Sequence, residues 1–513
     1  DFNKMNTAKL KNIYTKTSDF IQKAVYSDLY TGLLCIFAFL MWYLEWSIVG
    51  IVVVSLLASV TLFFAKDASA IFLPILAVLT VVRDTSAERY FSLWPLAVIF
   101  VLCLGFFLWK NAPRKFRLGT MFLPQLAVSI ALIFGGLGTI SAQNYLRALP
   151  LVSILGIGFL AIYFLGANYV HGDGKVDLPV HFAKICVAVG LVVCAELATV
   201  VLQSGKSPSQ WLDLYWDVGW GNRNMIATFF PFAFVMSLYL CTREGKFSAL
   251  YMAVAFVQFA CLLVTLSRGG VLFGCIAFVV ALVMAFVKGN RRQLLIALGA
   301  TVAVALLFCL VFHNKVGDAL ASLWERFSAI EIRFENGDLI INGTSWRGEE
   351  GGLYDKAWQL FKQHPIFGVG IGHVEMVNDV TISKMDWFHS TVMEILASMG
   401  IVGVLAYLYY YAMRLKAVFV KGNIKNRFPL FVFISWIAFE GQSLVDVGLL
   451  EPIFIFFITF QMIVLEKCRG ERYEQPICTL YLLPQSTATI GDGVLPNEKT
   501  ADYAEPTSED ENS

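Results

Sequence analysis

Apolar runs long enough to cross a bilayer follow one another through most of this chain, and they leave few architectures open. A spanning helix takes about 20 residues to traverse roughly 30 Å of hydrocarbon, and its backbone must close its own hydrogen bonds there. Segments 120–140, 179–202, 269–287 and 294–312 have this character. The run 30–64 would reach about 50 Å as one helix, too far for one crossing, so it divides near Glu45. The run 251–287 divides at its one charge, Arg268, which Gly269 and Gly270 follow. The pattern predicts an all-α polytopic membrane protein of about fourteen spanning helices. Only 15% of residues are charged, where a water-soluble globule carries about 25%.

Charge placement gives the expected orientation. Lys4, Lys9, Lys11, Lys16 and Lys23 precede the first apolar run, which leads at once into a second, so this run reads as an anchor and not a cleavable signal. With that end inside, the basic stretches 110–117, 243–246, 288–292 and 414–427 all fall on the cytoplasmic side, as the positive-inside rule requires. Both termini are then cytoplasmic. Outside lie the turn at 267–270, the segment around Arg223 and a long loop, 313–389, which holds the largest soluble part between spans. The chain divides into an inner N-terminal segment (1–29), eleven spans (30–312), the outer loop (313–389), three more spans (390–466) and a disordered tail (467–513). Within the loop, 354–363 has the spacing of a short interfacial helix that stops before His364-Pro365. The 39 Lys and Arg nearly cancel the 38 Asp and Glu, which argues against a nucleic-acid partner held by net charge.

Several residues stand out for chemistry. A guanidinium next to hydrocarbon needs a partner or a polar cavity, so Arg268 in Leu266-Ser267-Arg268-Gly269-Gly270 is either an arginine snorkelling to the interface or an anion clamp. In the second reading its glycines permit a tight turn and close approach by a phosphate. Arg223, between Asn222 and Asn224 at a helix start, is either a surface arginine beside a capping asparagine or a second anion contact. His389, at the outer edge of a span, is either a polar helix-start residue or a general base, with Asp386 three residues before it. Glu196, Glu440, Asp446 and Glu451 lie in or beside apolar helices and read as structural or cavity-lining. The histidines and the ten cysteines show no metal-ligand spacing, so no metal or other cofactor is expected.

Four segments together resemble the O-antigen ligase and O-antigen polymerase superfamily of bacterial glycan-assembly proteins. They are Gly221-Asn222-Arg223-Asn224, Leu266-Ser267-Arg268-Gly269-Gly270, the stretch from His364-Pro365 to Gly372, and Phe388-His389-Ser390 leading to Met399-Gly400-Ile401-Val402-Gly403. Arg223 stands where the family often has proline between the two asparagines, and Arg347 lies farther from the loop helix than the family's arginine. The resemblance implies a GT-C-like glycosyltransferase of the bacterial cytoplasmic membrane, working on the extracytoplasmic side. Its donor is an undecaprenyl-diphosphate-linked oligosaccharide, its acceptor a glycan, and its surroundings are membrane lipid and cell-envelope glycan assembly proteins. It further implies that Arg268 holds the diphosphate and His389 activates the acceptor. Ser267, Asn222, Asn224, Arg223 and Arg347 are then the substrate-binding residues. A polymerase is the expected product class, with a ligase or a lipid-linked glycan flippase as alternatives.

Overall fold

A computed structural model describes residues 2–83, 92–171, 176–213, 222–243, 245–328, 331–335, 338–342, 352–371, 388–420, 426–446 and 448–468. Arg347, Asp386 and the tail after Cys468 lie outside the described residues, so nothing structural attaches to the expectations made for them.

The chain is an all-α, multi-span membrane architecture. Among the described residues, eight helices are long and apolar enough to cross a membrane, or nine if the bent pair Lys11–Val25 and Asp28–Tyr43 counts as one span. The hydropathy reading expects about fourteen. The difference lies in apolar helices of 17 residues or fewer, among them Trp94–Lys110 and Phe122–Phe134, whose hydrophobic runs include residues that fold as turns. An antiparallel hairpin also breaks the all-helical pattern: Glu331–Glu335 pairs with Asp338–Asn342 inside the long loop. Its alternation is too short to stand out beside the helical runs.

The helix Arg223–Arg243 is the axis of the bundle, with 89% of its apolar window buried. Leu178–Ser204, Ser248–Val264, Arg268–Lys288 and Arg427–Ser443 pack around it, and Phe229, Phe230, Phe232 and Phe234 are fully enclosed. Peripheral helices instead expose Leu102, Val304 and Leu310 at 69%, 69% and 74%, a surface suited to lipid and costly in water.

Charged donors gather at one end of this bundle, while neutral polar pairs such as Ser237–Gln258 and Trp436–Gln461 lie buried along its helices. At that end Arg243 pairs with Asp177 at 2.5 Å, Arg427 donates to the Thr242 carbonyl, and Lys467 donates to the Ala167 carbonyl at 2.7 Å. The axial helix rises about 1.5 Å per residue, so its first residues, Asn222 to Asn224, stand some 30 Å away at the other end. Arg414 is a charged residue placed elsewhere. The basic stretch 414–427 was expected to be a loop, but the helix Thr391–Phe419 runs through it. Arg414 is 2% exposed, pairs with Glu440 at 2.5 Å and lies 4.3 Å over the Trp436 ring. A guanidinium in the bilayer interior is tolerated when paired and covered in this way.

The helix Thr391–Phe419 is broken at Gly400, whose φ is 61°. Thr391 bonds the Asp446 carbonyl and Tyr411 bonds Glu440, partners six positions apart. A straight helix would put those two residues about 30 Å apart, so the chain turns sharply at Gly400. The break exposes backbone groups, and the segment 365–370 satisfies them. Val369 and Gly370 N–H donate to the Ala397 and Ser398 carbonyls at 2.8 and 2.9 Å, while Ile401 and Val402 N–H donate to the Pro365 and Ile366 carbonyls at 2.8 and 3.2 Å. The two glycine-rich motifs, far apart in sequence, are therefore one joint, and irregular backbone persists at such a depth only when bonded like this.

A Cβ at Gly400 would fall 2.5 Å from the Ile366 carbonyl oxygen, and its backbone, φ 61° and ψ −154°, lies in a region essentially confined to glycine, at a cost of about 1–3 kcal/mol for other residues. Gly400→Ala should abolish recovery of monodisperse protein in fluorescence-detected size exclusion. Gly299→Ala, with nothing within 4 Å of the added carbon, should leave recovery unchanged.

Candidate functional site

The end of the bundle opposite Arg243 and Arg427 gathers most of the residues singled out above. Asn222 caps the axial helix: its Oδ1 accepts from the N–H of Asn224 at 2.9 Å and of Met225 at 3.1 Å. These are donors that a helix start leaves without intrahelical partners. The cap fixes Asn224, whose Oδ1 accepts from the Ser267 hydroxyl at 2.8 Å. The two short motifs are thus bonded across 43 positions of sequence. Arg223 and Arg268 follow directly from this contact, and each lies within the electrostatic reach of the other. Two guanidiniums so placed make a concentrated positive field at one helix end.

The turn before Arg268 is held in an uncommon backbone. Leu266 has φ 52°, a left-handed conformation that costs a non-glycine residue about 1–3 kcal/mol, and it is 3% exposed. Gly269 and Gly270 sit in the first turn of the helix Arg268–Lys288 with ordinary helical φ. A Cβ on Gly269 would meet the Gln442 side chain at 2.2 Å and Val445 at 2.7 Å, and one on Gly270 would meet the Ala227 Cβ at 2.4 Å. This corrects the expectation that the glycines let a phosphate approach. They let the axial helix and the end of Arg427–Ser443 approach the arginine.

Val445 leads into Asp446, and Asp446 meets His389. The His389 Nδ1 is 3.4 Å from Asp446 Oδ1, with the two side chains 33% and 15% exposed. This is long for a hydrogen bond. With Nδ1 turned to the carboxylate, Nε2 is the ring atom left to accept a proton. His389 is itself left-handed, φ 52°, and its neighbours pin it there. The Phe388 N–H donates to Glu394 Oε2 at 3.1 Å, the Tyr354 hydroxyl to the His389 carbonyl at 3.2 Å, and the Thr391 N–H to the Asp446 carbonyl at 3.0 Å. Among the described residues, three non-glycine residues have positive φ, and two of them are Leu266 and His389. Strained backbone of this kind is characteristic of functional sites.

Asn222, Arg223, Asn224, Ser267, Arg268 and His389 are thereby joined through the Gly269, Val445 and Asp446 connection. Asp446, first read as structural or cavity-lining, and Glu394 are the members that sequence reasoning undervalued. The available signal for Asp446 was an acid at an outer turn between spans, on the same side as His389. Glu451 stands in the connection ahead of the helix Pro452–Cys468, outside the spanning segments. Burial, and next the nearby Asp446 charge, push its carboxyl up to about 7. The folded chain then keeps a proton that the unfolded chain releases between pH 4.5 and about 7, so this group's stabilisation is lost as pH rises through that window. Glu451→Gln should therefore gain Tm relative to wild type as pH goes from 5 to 8 in thermal melts. A constant difference would contradict the buried-carboxyl account.

Among the described residues no group of three or more His, Cys, Asp or Glu side chains is placed to hold a metal ion. In the pair Arg414–Glu440 the guanidinium is covered by Trp436, Tyr410 and Tyr411, while the Glu440 side chain is 27% exposed.

Comparison with curated proteins gives no match. A family model described as O-Antigen ligase matches residues 252–408. The matched segment includes Ser267, Arg268, His389 and the Gly400 joint, while Asn222–Asn224 and Asp446, which the fold brings to them, lie on either side of it. The chain thus carries an O-antigen ligase family domain over the segment that holds both the arginine turn and the histidine.

Proposed function

We propose that this protein is a GT-C-like polysaccharide polymerase of about fourteen spans in the bacterial cytoplasmic membrane. It transfers glycan from an undecaprenyl-diphosphate-linked donor to a hydroxyl of an acceptor sugar, on the extracytoplasmic side. The observation that carries the reading is the approach of the Arg268 turn to the His389–Asp446 pair through Gly269 and Val445. The basic end of the bundle, with Lys110, Arg243 and Arg427, is the cytoplasmic one by the positive-inside rule, so the site faces outward and both termini face in.

In the proposed reaction the acceptor hydroxyl gives its proton to His389 Nε2 while its oxygen attacks the anomeric carbon of the donor sugar. The bond from that carbon to the lipid diphosphate breaks, and the diphosphate leaves with the electron pair. Asp446 orients the imidazole and stabilises it once protonated. Arg268, with Arg223 beside it, meets the growing negative charge on the leaving group, where preorganised cations are most effective. Asn222 and Asn224 hold this pair in place through the cap and the Ser267 bond, and Arg347 is a further contact for the glycan or the diphosphate. Attack opposite the leaving group inverts the anomeric centre.

A second reading, transfer of a finished glycan to a different lipid, polymer or protein, is favoured by the description of the matching family. Purified protein incubated with lipid-linked repeats in EDTA separates the two. A ladder of products supports polymerisation, and a product seen only when a separate acceptor is added supports ligation. Exchange of intact donor between the two leaflets, with no new glycosidic bond, would reject both in favour of a flippase.

A further inference from the structure

The end of the molecule opposite the site presents a helix that the transfer reaction does not use. The part Lys11–Val25 of helix Phe2–Val25 meets the apolar helix Asp28–Tyr43 at a 73° bend, so it runs crosswise to it. One face is fastened to the protein. The Tyr14 hydroxyl donates to the Phe63 carbonyl at 3.0 Å and the Ser18 hydroxyl to the Phe64 carbonyl at 2.6 Å. Gln22 accepts from the Lys66 N–H at 3.3 Å, and Lys110 donates to the Tyr14 hydroxyl at 2.8 Å. Tyr14, Ser18, Gln22 and Val25 recur at helical spacing and account for this face.

The opposite face is turned outward and is of mixed character. Ile13 and Phe20, seven positions apart, are 54% and 71% exposed. Lys16 and Lys23, also seven apart, are exposed beside them. The acid on this part of the helix, Asp19, is already engaged by Lys66 at 2.7 Å. Just past the bend, Leu29, Leu33 and Ile36 expose 72%, 58% and 58% of their surface along the spanning helix. Exposed apolar residues therefore stand on both sides of the bend, and on the crosswise helix they are accompanied by the two exposed lysines.

We propose that this helix is a binding surface for anionic phospholipid. It lies in the bilayer surface with Ile13 and Phe20 entering the acyl boundary and with Lys16 and Lys23 on lipid phosphates. The occupant follows from charge complementarity with Lys16 and Lys23 and from the exposed apolar residues of both this helix and the apolar helix after the bend. Amphipathic helices of this composition bind in the interfacial plane, with an affinity set by apolar area and by attraction to anionic lipid.

The full chain in nanodiscs of phosphatidylcholine, alone or with phosphatidylglycerol, provides the test, read as amide hydrogen exchange over residues 11–25. Phosphatidylglycerol should slow exchange by about tenfold or more, since each lysine at an anionic surface contributes a factor of about five. Lys16→Glu/Lys23→Glu should lose that slowing, while Lys16→Arg/Lys23→Arg should keep it. Equal exchange in both lipid compositions, or slowing that survives in the glutamate variant, would overturn the proposal.

Discussion

Replacing His389 by alanine should lower glycan transfer by about 10²–10⁴-fold, the usual contribution of a positioned general base. The protein should remain folded, because the side chain is one-third exposed and the main bonds that hold this segment run through backbone atoms of Phe388, His389 and Thr391. Alanine is less at ease than histidine in this left-handed position, so a thermal melt of the variant accompanies the activity assay. Asp446→Asn tests how the base is set. The amide still fills the space beside Nδ1 but removes the carboxylate that orients the ring, so the rate should fall less than in His389→Ala. Near-normal transfer by His389→Ala in a well-folded preparation would reject the base role.

Arg268→Ala is the second large effect, a fall of about 10²–10³-fold in donor turnover, as when one preorganised charge-stabilising group is removed. Arg268→Lys should recover part of the loss. Lysine keeps the charge but not the planar fork that can engage two phosphate oxygens at once. Arg223 shares the field of Arg268, so Arg223→Ala should be milder, and the double variant should show how far the two act as a unit. Donor turnover by Arg268→Ala equal to wild type would show that the clamp lies elsewhere.

Much of the site could be read from the residues because membrane topology is a strong filter. Once basic loops are assigned to one side, Asn222 to Asn224, Ser267-Arg268 and His389 all fall on the other, and the fold does bring them to one end of the bundle. What could not be read is how they touch. The bond between Asn224 and Ser267 depends on which faces of two helices meet, and hydropathy alone does not specify rotation about a helix axis when nearly every position is apolar. Gly269 and Gly270 carry no mark of whether their missing side chains make room for a ligand or for another helix; Gln442, Val445 and Ala227 give the answer.

The errors have similar causes. Arg414 was assigned to a loop because a charge usually ends a hydrophobic run, yet Glu440 from the next helix neutralises it and three aromatic rings cover it. The break at Gly400 lies within an uninterrupted apolar stretch, and only the inserted 365–370 backbone makes it tolerable. Asp446 was undervalued because its partner is 57 positions away in sequence.

The account stands most directly on where the diphosphate binds. An experimental structure of the full chain with an undecaprenyl-diphosphate-linked oligosaccharide measures this. The account predicts diphosphate oxygens on the guanidiniums of Arg268 and Arg223, with the anomeric carbon of the first sugar facing a space bounded by His389 Nε2. A diphosphate bound at the Arg243 and Arg427 end, or at the outer end but away from both Arg268 and His389, would contradict it.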